Sequence, residues 1–177
     1  MSDWPGQGRV EMANGGVLSP TAQFVGLSTT GGVSTAWPSA NLAIFIPIRV
    51  SEPVTVYKIA VGAGATAAGN FDVGLYDSAG NRLVSSGATA KGASVEHILD
   101  VTDTRIGPGL YYLAMSADGT NNYILNTPSG TSPVPLQKTR AHGILAMASA
   151  YVLPATATFA AATLAPYPDI AAYLRGQ

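Results

Sequence analysis

Residues 70–87 read NFDVGLYDSAGNRLVSSG, and this stretch decides the fold class. Its apolar positions Phe71, Val73 and Leu75 alternate with small or acidic residues, which places three apolar side chains on one face of a strand. Residues 77–81 (DSAGN) have the composition of a tight turn, in which glycine or asparagine can adopt a positive φ. The segment therefore predicts a β-hairpin with one buried face.

Further strands are predicted on both sides of this hairpin, because β-branched and aromatic residues recur between turn signals. In residues 54–61, alternation places Tyr57, Ile59 and Val61 on one face and Val56 on the other. Short strands and frequent turns predict an all-β fold, a jelly-roll-like antiparallel β-sandwich with extended N- and C-terminal arms. The other predicted strands are residues 42–50 (LAIFIPIRV), 95–101, 110–116 (LYYLAMS) and 123–126 (YILN).

The composition divides the chain into three zones. Residues 1–41 are rich in Gly, Ser and Thr and form an N-terminal arm, in which residues 17–27 predict an edge strand because of Pro20. Residues 42–126 form the sandwich core. Residues 127–177 form an Ala-, Thr- and Pro-rich assembly segment, whose end at residues 169–175 (DIAAYLR) predicts a short helix with Asp169 as its N-cap.

Charge and composition exclude several classes of protein. Of the 177 residues, 11% are charged, against about 25% in an average domain, while 47% are hydrophobic. The formal net charge is −1, with no basic cluster, so we expect no binding to nucleic acid. The chain has no Cys, which excludes a disulfide framework. We expect no membrane span and no signal peptide, since no apolar run is long enough and residues 1–10 are polar.

Residues that could carry chemistry do not converge. On a strand, His97 and Asp100 point to opposite faces, which argues against a metal site there. A strained G-x-S-x-G turn and a nucleotide-binding loop of G-x-G-x-x-G spacing are both missing from the sequence. We therefore predict a protein that is not an enzyme, with no catalytic residue, no cofactor and no metal.

The zones outside the predicted core carry large apolar side chains. In solvent these would form a patch larger than the few hundred Å² that a monomer usually exposes. They predict an interface between copies of the chain, in a homo-oligomer that we expect to be a trimer. The residues assigned to this interface are Phe24, Trp37, Ile144, Leu145, Tyr151, Val152, Phe159 and Leu164.

Residues 70–87, preceded by IPIRVSEPVTVYKIAVGAG at 46–64 and followed by GPGLYYLAMSADG at 107–119, resemble a pattern in tailed-bacteriophage virion proteins. In that group a strand of x-x-V-G-[IL]-Y-D type enters a short turn, G-N-R-L-V-S-S-G leaves it, and P-G-x-Y-Y-L-A closes the sandwich. Residues 153–168 are also similar to the tails of such proteins. The resemblance implies a structural module of capsid decoration, tail tip or fibre, commonly trimeric, with no catalytic residues.

On this basis we expect a virion protein that assembles in the host cytoplasm with itself and with other virion proteins. An alternative function rests on the aromatic residues, which could stack on sugar rings as in carbohydrate-binding modules that attach to host-surface glycans. Such a module would pack its ends on its own core and leave Tyr or Trp on an open face. The aromatic residues concerned are Trp4, Trp37, Tyr57, Tyr76, Tyr111, Tyr112 and Tyr123.

Overall fold

Antiparallel main-chain pairing joins the strands that the structure describes into three sheets. The computed structural model describes residues 16–18, 33–126, 145–159, 167–168 and 170–175. In chain order the strands are β1 (Gly16–Leu18), β2 (Val33–Ala36), β3 (Ala43–Val50), β4 (Val54–Gly62), β5 (Asn70–Asp77), β6 (Arg82–Ser85), β7 (Thr89–Ala90), β8 (Glu96–Ile106), β9 (Gly109–Ala117), β10 (Asn122–Asn126), β11 (Leu145–Met147), β12 (Tyr167–Pro168) and β13 (Ile170–Arg175).

Two larger sheets form the body of the molecule. The four-stranded sheet has the order β1-β13-β4-β8, and the six-stranded sheet has the order β11-β3-β9-β5-β6, with β7 paired to β5. A three-stranded sheet, β12-β10-β2, is linked to the end of β4 by the bridge between Ala63 and Tyr123. The all-β class predicted from the sequence is confirmed.

The main core lies between the two larger sheets. Phe71, Val73 and Leu75 of β5 all have no exposed surface and pack in this core, as their alternation predicts. The turn at residues 77–81 is also confirmed, and its Gly80 has a φ of 89°. The hairpin that decides the fold class is therefore read correctly from the sequence.

Strand β4 departs from the predicted alternation. Its core residues are Val54, Val56, Ile59 and Val61, so Val56 lies on the same face as Ile59. A β-bulge between Val56 and Lys58 causes this change, because the extra residue moves the following side chains to the opposite face. The prediction that Val56 faces away from Ile59 is wrong for this reason.

The predicted helix at residues 169–175 is also wrong. Residues 170–175 form β13, which pairs with β4 from Ile170 opposite Val61 onward. Ile170, Ala172 and Leu174 alternate into the main core. Pairing with β4 and burial of this face override the helix propensity of the two alanines.

At the N-terminal side, residues 16–18 form β1, an edge strand that pairs with β13. The rest of the strand predicted at 17–27 lies outside the described residues.

Candidate functional site

The six-stranded sheet is covered on both faces. On the face away from the main core, residues 150–159 cross the sheet without forming a regular strand, and we call this segment the strap. Its buried residues Leu153 and Ala157 pack on Phe45 and Tyr76 of the sheet. Phe159, at the end of the strap, makes an edge contact with Phe45, with ring centroids 5.5 Å apart. A second apolar cluster therefore lies between the sheet and the strap.

Hydrogen bonds hold the strap through its main chain. The Ala150 N–H donates to Asn41 O at 2.7 Å, and the Ala157 N–H donates to Gly80 O at 2.7 Å. The Arg82 N–H donates to Ala155 O at 2.9 Å. These last two bonds flank a bridge between residues 81 and 156. The turn of the β5–β6 hairpin thus pairs with the strap as a short strand would.

Three side chains of the sheet complete this attachment. The Leu153 N–H donates to Asp72 Oδ2 at 3.1 Å. The Tyr76 hydroxyl donates to Pro154 O at 2.6 Å, and the Arg82 guanidinium donates to Leu153 O. Charged groups make stronger hydrogen bonds than neutral ones, so the contacts of Asp72 and Arg82 with Leu153 fix the strap firmly at this point.

Asp72 is a carboxylate with no exposed surface. Its second oxygen, Oδ1, accepts a hydrogen bond from Ser86 Oγ at 3.2 Å. Burial raises the pKa of Asp72, while the Leu153 N–H, the Ser86 hydroxyl and the charge of Arg82 act in the opposite direction. Both oxygens are therefore occupied by groups of the chain itself.

Two glycines allow the strap to approach the sheet closely. A Cβ on Gly80 would lie 2.1 Å from Ala157 O in the strap. A Cβ on Gly74 would lie 2.7 Å from Val84 O in the hairpin and 3.0 Å from Leu153 Cδ1 in the strap. Atoms at such distances overlap, so a side chain at either position would displace the strap or the hairpin. The path of the strap thus depends above all on Gly80, where the clash is with the strap backbone.

A second buried ionic group lies at the loop that follows β4. Lys91 is 7% exposed, and its ammonium donates to Gly64 O at 3.4 Å and to Thr66 O. It also lies 5.2 Å from the centroid of the Tyr123 ring, a cation–π distance. Burial lowers the pKa of Lys91. The ammonium therefore holds the loop by its carbonyl groups.

The other polar candidates also bind their own chain. Asp77 Oδ1 accepts the N–H groups of Ala79 and Asn81, and Asp118 Oδ1 accepts the Asn70 N–H. Hydrogen bonds to Asn81 lower the pKa of Asp77. Among the residues that the structure describes, no three His, Asp or Glu side chains gather as metal ligands. The absence of a metal and of a cofactor stays a prediction.

His97 occupies a half-buried position on β8. Its Nε2 accepts a hydrogen bond from the Gly92 N–H at 3.0 Å, and its ring lies 5.0 Å from that of Phe71. These contacts are those of a packed strand histidine. The other of the chain's two histidines, His142, lies outside the described residues.

The residues assigned to an interface have different positions. Trp37 is 1% exposed, and its Nε1 donates to Leu42 O at 2.9 Å, so it belongs to the chain's own core. Its ring packs edge-on against Tyr123 at 5.5 Å. The interface prediction is thus wrong for Trp37, because strand β2 brings residue 37 to the main core.

On the strap, Tyr151 is half-buried and Val152 is 43% exposed. Partial burial is the main cause that raises the pKa of Tyr151, and the negative charges of Asp118 and Asp72 raise it further. Phe159 packs on Phe45 and Tyr112 of the same chain. The argument from exposed area therefore fails for Trp37 and is weakened for Phe159. Leu145 lies in β11, and Phe24, Ile144 and Leu164 lie outside the described residues.

Sequence reasoning missed Asp72, Arg82 and Tyr76 as the residues that hold the strap. The alternation in β5 places Asp72 on the face opposite Phe71 and Val73, as for a solvent-facing residue. Nothing local indicates that Leu153, 81 residues further on, covers that face. One local feature did indicate a covered face: Gly74 and Tyr76 lie on the same face of β5 as Asp72, and neither of them is charged.

Comparison with known proteins gave no match to a family model, to a curated protein or to a solved structure. In the described ranges, the chain has no helix of the length and apolarity needed to cross a membrane.

Proposed function

We propose that this chain is a non-enzymatic structural subunit of a bacteriophage virion, of the capsid-decoration or tail-associated type. One observation carries the proposal: ionic groups that are buried or half-buried hold the chain's own backbone. Asp72 and Arg82 bind Leu153, and Lys91 binds the loop carbonyls of Gly64 and Thr66. Polar groups used in this way rigidify a scaffold, whereas an active site presents them to a substrate.

The resemblance of residues 70–87 and 107–119 to tailed-bacteriophage virion proteins supports the same function. The fold places these two segments on neighbouring strands, because β5 pairs with β9 along seven residue pairs from Phe71 opposite Ala117 to Asp77 opposite Tyr111. The segments that carry the resemblance thus form one structural unit, at the centre of the six-stranded sheet.

The subunit works by assembly, as a homotrimer that also contacts other virion proteins. The strap offers a contact surface through half-buried Tyr151 and exposed Val152, two of the predicted interface residues. The assembly takes place in the host cytoplasm, and the protein resides in the virion.

Sedimentation of the purified full chain at micromolar concentration tests assembly. We expect a trimer that Val152→Asp weakens about tenfold, the size of a moderate interface contact. Val95→Asp is the matched control, because Val95 is a valine of similar exposure, 47% against 43%, that lies between β7 and β8 and not in the strap. A monomeric wild-type chain would contradict the proposal, as would equal effects of the two variants. Labelling virions with an antibody against the chain tests the location.

A second candidate function, binding to host-surface glycans, is favoured by one observation. Tyr57 and Tyr173 are both half-buried and meet edge to face, with ring centroids 6.5 Å apart. The Lys58–Asp100 ion pair, at 3.2 Å, adds polar groups beside them. Aromatic rings next to hydrogen-bonding groups can hold a sugar. Binding to a glycan panel that Tyr173→Ala abolishes, in a chain that sediments as a monomer, would favour this function.

A further inference from the structure

Residues 145–175 complete the molecule at four places. Strand β11 adds to the edge of β3, and the strap covers the outer face of the six-stranded sheet. Strand β12 adds to β10, and β13 lies between β1 and β4. Without this segment, both apolar clusters would lose one of their walls.

One connection joins this segment to the preceding strands. Strand β10 ends at Asn126 and β11 begins at Leu145, which leaves residues 127–144, 18 in number, between them. An extended chain of that length spans at most about 60 Å. A domain of this size has a radius of gyration of about 16 Å, so such a connection can reach a neighbouring copy.

The attachment sites recognise the main chain of the strap. Each of the six hydrogen bonds described above has a backbone atom of the strap, between Ala150 and Ala157, as its donor or acceptor. Leu153 and Ala157 then fill the apolar cluster. Because copies of the chain are identical, each of these contacts forms equally well with the strap of a second copy, as in strand addition and domain swapping.

The described part of the chain exposes few large apolar side chains. Among the described residues, the exposed large apolar side chains are Leu83, Val95, Ile98 and Val152. An oligomer with a few such contacts needs another source of buried area. An exchanged segment supplies that area from contacts the chain already makes.

We propose that in the assembled oligomer residues 145–175 of one copy complete the sheets of a neighbouring copy. The partner of the strap-binding surface is thus a second copy of this chain. This inference rests on the proposed function, since exchange requires an oligomer.

Engineered disulfides test the exchange, because the chain has no Cys. Asn81 and Thr156 form an antiparallel bridge between the hairpin and the strap, and both are exposed. The hydrogen bonds on either side of this bridge join residue 80 to 157 and residue 82 to 155, so residues 81 and 156 are not hydrogen-bonded to each other. In such a pair the Cα atoms lie about 4.5 Å apart, within the range that a disulfide allows. Full-length Asn81→Cys and Thr156→Cys chains are mixed unfolded, refolded together and oxidised. We expect a disulfide-linked dimer of the two different variants.

Three controls accompany this experiment. Each single variant refolded alone, and Asn81→Cys refolded with Val95→Cys, give the background from random collision. The double variant Asn81→Cys/Thr156→Cys shows that the pair can close. A disulfide within one chain in the double variant, together with background yield from the mixed single variants, would overturn the exchange.

Sedimentation of the same samples separates this inference from the proposed function. An oligomer without cross-chain disulfides would refute exchange and leave assembly intact, whereas a monomer would refute both. If oxidation at 81 and 156 disturbs folding, Lys58→Cys with Tyr173→Cys repeats the test at β13, because these two residues are register partners.

Discussion

Asp72 Oδ2 accepts a hydrogen bond from the Leu153 N–H at 3.1 Å, across 81 residues of sequence. The carboxylate has no exposed surface, so this contact lies in the interior. It joins the central hairpin of the six-stranded sheet to the strap, and the same leucine accepts a hydrogen bond from Arg82 through its carbonyl. Leu153 is therefore the residue at which the strap is held most strongly.

We expect Asp72→Ala to lower the free energy of unfolding by about 1–3 kcal/mol, because the buried Leu153 N–H loses its acceptor. Asp72→Asn keeps an acceptor oxygen at the same place and is the matched control, with a smaller loss. Urea denaturation at pH 7 measures both. Equal losses in the two variants would show that the hydrogen bond to Leu153 does not stabilise the fold.

The dependence of stability on pH has a definite sign. The pKa of Asp72 is raised above its ordinary value of 3.8 by burial, so the folded protein takes up this proton before the unfolded chain does. The stabilisation from protonation is complete below pH 3.8 and is lost as the pH rises through the raised value. Relative to Asp72→Asn, the wild type should therefore gain stability on acidification from pH 7 to pH 4. If the free energy of unfolding changed with pH by the same amount in the two proteins, this prediction would be refuted.

Gly80→Ala should destabilise the fold more than Gly87→Ala. Both glycines have a positive φ, 89° and 72°, which costs an alanine about 1–2 kcal/mol. At Gly87 nothing lies within 4 Å of the added Cβ, whereas at Gly80 it would lie 2.1 Å from Ala157 O. Thermal unfolding of the two variants measures the difference, which reports the contact with the strap. Equal melting temperatures would mean that the strap does not approach Gly80.

Lys91 should be acetylated much more slowly than Lys58 by an amine-reactive ester. Burial lowers the pKa of Lys91, which favours reaction, but the same burial keeps the reagent away. Lys58 has a side chain that is 36% exposed. Mass spectrometry of timed samples gives both rates. Acetylation of Lys91 as fast as that of Lys58 in the folded protein would contradict its burial under the loop.

A chain that ends at Asn126 should not fold. It lacks β13, which supplies Ile170, Ala172 and Leu174 to the main core and lies between two other strands of its sheet. Circular dichroism and solubility test this, with the full chain as reference. A folded, soluble fragment would show that residues 42–126 form an independent core.

Local patterns predicted the part of the fold that depends on local contacts. The alternation at Phe71, Val73 and Leu75 and the turn that contains Gly80 appear as expected. A strand with one buried face and a tight turn need no information from distant residues. The interior of the hairpin was therefore predictable from 18 residues of sequence.

The parts that failed depend on distant segments. Residues 170–175 have both helical propensity and alternating apolar positions, and the presence of β4 beside them decides for the strand. The burial of Asp72 depends on Leu153, which no local pattern connects to it. Trp37 stands in a Gly- and Ser-rich zone, and its place in the core depends on Leu42 and Tyr123.

The position of β13 between β1 and β4 has a consequence for synthesis on the ribosome. The four-stranded sheet joins residues 16–18 to residues 170–175, so it cannot close until the chain has been translated as far as residue 175. Until then the inner edge of β4 and one wall of the main core are exposed to other nascent chains, which is when β-rich proteins aggregate. A premature stop codon or a pause in translation before residue 170 would leave an incomplete product, and we expect chaperones to bind that product in place of β13.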